Sequence, residues 1–132
     1  MKKRIEALNK VGRLQARMHD LGRWRLAALE GERNRVGDDL KALFEALEGD
    51  SLAYGPQARL IAGRVRSKQT QLERLEGEAE ATRRKANAHG LRSRLAGKAA
   101  DKAASLYRDQ KERKELADLV SRAIGRSKAS PT

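Results

Sequence analysis

Two histidines, His19 and His89, are the only imidazoles in the chain, and there is no cysteine. If the chain folds back on itself at GDSLAYGPQ (49–57), residue i faces roughly residue 105 − i, so position 19 comes opposite about 86. Two histidines on facing helices could hold a metal ion. The pattern argues against it: Asp20 beside His19 points off that face, and no carboxylate stands at ligand spacing. Solvated or half-buried seam histidines are the simpler expectation. The carboxylate groups Asp38–Asp39 and Glu73, Glu76, Glu80 sit among Arg and Lys and read as helix-surface ion pairs. No glycine-rich phosphate loop and no nucleophile motif occurs. The expectation is a protein that is not an enzyme, with no cofactor and no metal.

The other candidate for chemistry is the basic run TRRKANAHGLRSRLAGK. It carries Arg83, Arg84, Lys85, Arg92, Arg94 and Lys98 with no acid between them. Such a run can neutralise phosphates in a salt-dependent way. It lacks interleaved aromatics for base stacking and a following zipper. A solvated basic face, a docking face for an acidic protein and a nucleic-acid surface all remain open, nucleic acid the least favoured. Net charge is +12, and it is uneven: residues 1–48 hold 11 basic and 8 acidic residues, residues 57–132 hold 19 and 9. The second half should therefore meet an acidic partner.

The elements that position these residues are helical. Aromatics are only 3% of the chain, too few for a thick globular core, while Leu and Ala recur at regular spacing and Pro is nearly absent. From Leu26, the positions Leu26, Leu29, Arg33, Val36, Leu40, Leu43 and Leu47 alternate by three and four, the seam of a coiled coil. Upstream, Val11, Leu14, Met18 and Leu21 form a seam in a different register, which Ile5 and Leu8 extend poorly. A register slip near Trp24 would join the two, with Trp24 either in the core there or exposed as an anchor for a partner, Trp and Arg being common at binding hot spots. After the turn, Ile61, Val65, Lys68, Leu72, Leu75, Ala79, Thr82, Ala86 and His89 repeat the spacing, and Leu91, Leu95, Ala99, Leu106, Leu116, Val120 and Ile124 come later.

The spacing predicts an all-α fold: a long antiparallel two-helix coiled-coil hairpin with an overhanging C-terminal helix, in a single domain spanning 1–132. Helix 1 is expected over about 3–48, the turn over 49–56, helix 2 over about 57–125, and a frayed tail over 126–132. Gly49 suits the end of helix 1 and Pro56 the first turn of helix 2. Gly12, Gly22, Gly31, Gly37, Gly63, Gly77, Gly90 and Gly97 fall inside these helices, each costing about 1 kcal/mol against Ala. Packing can tolerate them; the alternative is a break at Gly31–Gly37 or at Gly90, giving a three- or four-helix bundle. Residues beyond about 103 lack a partner within the hairpin, so the stripe from Leu106 to Ile124 wants a second protein, a second copy or a bend back. No apolar run reaches the ~20 residues that span a bilayer. MKKRIEALNK lacks the apolar centre of a secretion signal, so a soluble cytoplasmic protein is expected.

At the turn, AYGPQARLIAGRVRSKQTQLERLEGEAEA resembles the corresponding segment of the FliJ-type flagellar export proteins. A Tyr in the interhelical turn, here Tyr54, precedes a helix with the spacing Ile61, Val65, Leu72, Leu75. KAASLYRDQKERKEL resembles the family's charged region late in the second helix. The resemblance, shared with the equivalent injectisome proteins, implies a stalk or escort in type III protein export. The paired terminal ends would enter the export ATPase ring, here with Leu106, Tyr107, Leu116, Val120, Ile124, Lys2, Lys3 and Arg4. The start of helix 2 would touch the export gate protein, here through Gln57, Ile61, Arg64 and Lys68. Only Ile61 of these four keeps the family's apolar character, which weakens that contact or makes it electrostatic. Export chaperones are further implied partners, at the cytoplasmic face of the inner membrane without insertion into it. The readings from another class are a basic nucleic-acid-binding coiled coil and a homodimerising structural one.

Overall fold

The computed structural model describes residues 1–49 and 56–129. Two helices account for nearly all of them: α1 (Lys2–Glu48) and α2 (Pro56–Ala129). Pro56 takes the first position of α2, where its missing N–H costs no helical bond. Past Glu48, the Gly49 N–H donates to the Ala46 carbonyl at 3.3 Å. This three-residue bond tightens the last turn, and Gly49 stands just past the end of α1 as expected. The expected turn, with Tyr54, lies outside the described residues apart from its ends. α2 continues to Ala129, four residues past the expected end near 125.

The helices cross two compact units, Arg17–Gly90 and Met1–Ala16 with Leu91–Thr132. In the first of these, α1 and α2 pack antiparallel. Lys68 bridges to Asp39 at 3.3 Å and Arg83 to Glu30 at 3.4 Å, while His19 meets Ala86. The buried positions keep the three-four spacing. On α2 the predicted series from Ile61 to His89 is half-buried or buried throughout. Leu29, Val36, Leu75 and Ala79 form the core, with Leu26 and Leu72 against it. Among the described residues Leu75, 1% exposed, is the most enclosed side chain.

In the other unit the pair is also antiparallel: the Ser93 hydroxyl donates to the Gly12 carbonyl at 3.0 Å. The residues turned inward on α1 are Ile5, Leu8, Gly12 and Gln15; on α2 they include Ser93, Ala96, Ala100, Ala103 and Tyr107.

These placements overturn the expected register slip. The inward positions of α1 run 5, 8, 12, 15, 19, 22, 26, 29 and onward without a change of spacing. Val11, Leu14, Met18 and Leu21 are therefore exposed, as are Leu91, Leu95, Ala99 and Leu106. Trp24, placed in the core by one expectation, is 76% exposed. The physical reason is helix rigidity. The large Leu and Val residues between 26 and 79 set which side of each helix faces inward, and an unbroken helix carries that side onward whatever residues occupy it.

The glycines do not break the helices. Gly12, Gly22, Gly31, Gly37, Gly63, Gly77, Gly90, Gly97 and Gly125 all lie within α1 or α2, so the bundle alternative falls. Two have a steric reason. A Cβ on Gly22 would sit 2.8 Å from the Ala86 Cβ, and one on Gly90 would sit 3.0 Å from the His19 ring. Gly31, Gly37, Gly63, Gly77 and Gly97 have nothing within 4 Å of such a Cβ.

These contrasts give two expected outcomes. Gly77→Ala should raise unfolding free energy by about 0.5–1 kcal/mol through helix propensity, whereas Gly22→Ala should lower it despite the same propensity gain. Denaturant melts of both variants read this, and a stabilised Gly22→Ala would show that the close approach is absent. Leu75→Ala should cost about 2–5 kcal/mol, while Leu14→Ala, at an exposed site, should stay within about 0.5 kcal/mol. Equal losses at the two positions would contradict the register.

Candidate interaction surfaces

Around the histidines the helices come close, and small residues make that possible. Gly22 and Ala86 touch nearly backbone to backbone. Gly90 leaves room for the His19 ring, whose Nδ1 lies 2.6 Å from the Ala86 carbonyl. A carbonyl only accepts, so Nδ1 carries the proton. His19 thus serves as a strut between helices, and the contact is worth on the order of 1 kcal/mol. No group of three or more His, Asp or Glu is placed to hold a metal among the described residues. Among them, too, no buried side-chain polar atom lacks a hydrogen-bond partner.

The basic run divides into two kinds of residue. Arg83 bonds Glu80 at 2.8 Å and Glu30 at 3.4 Å, and Arg84 bonds Glu80 at 3.2 Å. Glu80, just before the run in sequence, partly neutralises its start. Lys85, Arg92, Arg94 and Lys98 are exposed, and no described carboxylate lies within ion-pair distance of them. Lys85 belongs to one unit and the other three to the other.

The stripe expected to touch the export gate is split by the fold. Ile61 and Lys68 take inward positions against α1, and Lys68 is held by Asp39. Gln57 and Arg64 are exposed on the flank. Spacing by four and three residues put the four on one stripe, but the same spacing defines the inward seam, and the seam claims two of them.

The residues expected to enter an ATPase ring all belong to the unit built from Met1–Ala16 and Leu91–Thr132. Tyr107 is half-buried, the last inward side chain on α2 among the described residues. Leu106, Leu116, Val120 and Ile124 are exposed, as are Lys2, Lys3 and Arg4. No hydrogen bond or ion pair joins Lys2, Lys3 or Arg4 to α2 among the described residues. Every residue from 108 to 126 is exposed. Leu116, Val120 and Ile124 recur every four residues and share one side of the helix, with Leu119 beside them.

Two exposed features escaped the sequence reading. Leu91 and Leu95 lie on the outside of α2, and Met18 and Leu21 on the outside of α1. Their apolar character made them look like seam. The signal that could have separated them is continuity: extending the three-four spacing of 26–47 backwards lands on 22, 19, 15 and 12, which are Gly, His, Gln and Gly. No helix among the described residues is long and apolar enough to cross a membrane. No family model, no curated protein and no solved structure matches this chain.

Proposed function

We propose that this chain is a non-enzymatic coiled-coil stalk or escort of a type III protein export apparatus, peripheral at the cytoplasmic face of the inner membrane, whose terminal end enters the export ATPase ring. The observation that carries the reading is the stretch from 108 to 126. It is helical and wholly exposed, yet it bears Leu116, Leu119, Val120 and Ile124. A single helix with an uncovered apolar side is stable chiefly when something packs on it. In this reading the stretch overhangs the paired helices, and the ring lumen covers it. The resemblance of the segment after Tyr54 to FliJ-type proteins supplies the identity of the ring. Contact with the export gate falls to Gln57 and Arg64, the two exposed members of their stripe, and is electrostatic. Export chaperones are the remaining partners of the reading.

One observation favours a second reading. Arg92, Arg94 and Lys98, all in one unit, are exposed without carboxylate partners among the described residues, which suits a nucleic-acid backbone. Filter binding across a salt series separates the two: tight binding with a steep salt slope supports nucleic acid.

The test of the stalk reading is the double variant Leu116→Asp, Val120→Asp in the full chain. Both positions are exposed, so helicity by circular dichroism should not change. Binding to the export ATPase in a pull-down should fall by about tenfold or more, since apolar anchors dominate such contacts. Undiminished ATPase binding would sink the reading. If sedimentation shows the parent as a dimer and the double variant as a monomer, the stretch is covered by a second copy instead.

A further inference from the structure

A second uncovered apolar surface lies within Arg17–Gly90, apart from the C-terminal stretch. Here α1 and α2 approach over Gly22 and Ala86, and beside this contact runs an open groove lined by Met18, Leu21 and Arg25 of α1 and by Lys85 of α2. Because the floor residues are small, the walls stand above it uncovered: Met18 is 39% exposed and Leu21 58%. The rim is cationic on both sides. Arg25 and Lys85 are exposed, neither has an ion-pair partner among the described residues, and no carboxylate lines the groove.

We propose that this groove docks an acidic amphipathic helix of a partner protein. An open apolar groove takes residues at i, i+3 and i+4 of a helix. Cations on both rims select Asp and Glu on the flanks of that helix. Trp24 adjoins the site on α1, one residue from Arg25 and three from Leu21, and adds the aromatic type that hot spots favour. A second copy of this chain is a poor occupant, because it would bring the same Arg25 and Lys85 on a chain of net charge +12. A nucleic acid would leave Met18 and Leu21 unmatched, and the lining ring, His89, is half-buried rather than presented for base stacking.

Trp24 is the only tryptophan, so its emission reports on the site in the intact chain. The probes are two designed helical peptides of about 18 residues, long enough for five turns. They share Leu anchors at i, i+3, i+4 and i+7, and differ in carrying Glu or Lys on the flanks. The Glu peptide should give a saturable blue shift of Trp24 emission, and the Lys peptide none. The double variant Arg25→Glu, Lys85→Glu should lose about tenfold or more in affinity for the Glu peptide, since every tenfold is only about 1.4 kcal/mol, and should gain affinity for the Lys peptide. Leu21→Asp should lose both. All three substitutions are at exposed positions, and unchanged melting curves check that the variants fold. Equal binding of the two peptides by the parent overturns the proposal, as does a charge-reversed variant that keeps its preference for Glu. Displacement of the Glu peptide by a single-stranded oligonucleotide whose own binding falls equally on charge reversal overturns it in favour of a plain anion surface. A parent dimer that Leu21→Asp converts to a monomer overturns it in favour of a second copy.

Discussion

The interlock of Leu29 and Val36 with Leu75 and Ala79 decides which side of each helix faces the other. These four buried residues, two from each helix, form one cluster with Leu26 and Leu72 packed against it. An α-helix transmits orientation along its length, because each residue turns by a fixed angle from the last. Once these four residues lock, positions many turns away have no freedom to choose their side. His19 and Gly22 face inward and Met18 and Leu21 face outward for this reason, not because either arrangement buries the most apolar area locally.

The consequence is a division of labour between two apolar sets. One set, facing inward, is large from Leu26 to Leu47 and from Ile61 to Leu75 and includes many small residues beyond, such as Gly12, Gly22, Ala86, Ser93, Ala96 and Ala100. Small seam residues bring backbones close, as at Gly22 and Ala86, and gain contact through proximity where they lose it in area. Larger residues in their place would enlarge the separation and slacken the His19 bond to Ala86. The other set, Val11, Leu14, Met18, Leu21, Leu91, Leu95 and the leucines near the end of α2, contributes little to the pairing and faces outward among cations.

Much of this was legible before any coordinates. The two helices, their antiparallel register and the α2 seam from Ile61 to His89 follow from spacing, because each of those segments advertises its inward side with Leu, Val or Ile. The pairing of positions 19 and 86 follows from the same register. The part that was not legible is the stretch where the seam is small. Gly12, Gln15, His19 and Gly22 carry no apolar signal, while neighbours one position away do, so a pattern that weighs hydrophobicity alone selects the wrong side. Glycine misleads in the same way: its cost in a helix suggests breaks, yet packing elsewhere holds α1 and α2 continuous through nine of them. The candidate surfaces were legible as residue types but not as locations, since Ile61 and Lys68 share a stripe with Gln57 and Arg64 and yet turn inward.

The contact of Gly22 with Ala86 also bears on how such a chain can drift over generations. Leu, Ile, Val and Met replace one another in a two-helix seam with modest loss, so those positions change readily and similarity between distant descendants fades there first. Gly22 has no comparable exit: every replacement adds a Cβ where only 2.8 Å separates it from the Ala86 Cβ. Gly31 and Gly77, open on all sides, are free to vary. In a lineage of such chains the lasting mark would be a pair of small residues at one crossing, flanked by leucines that come and go.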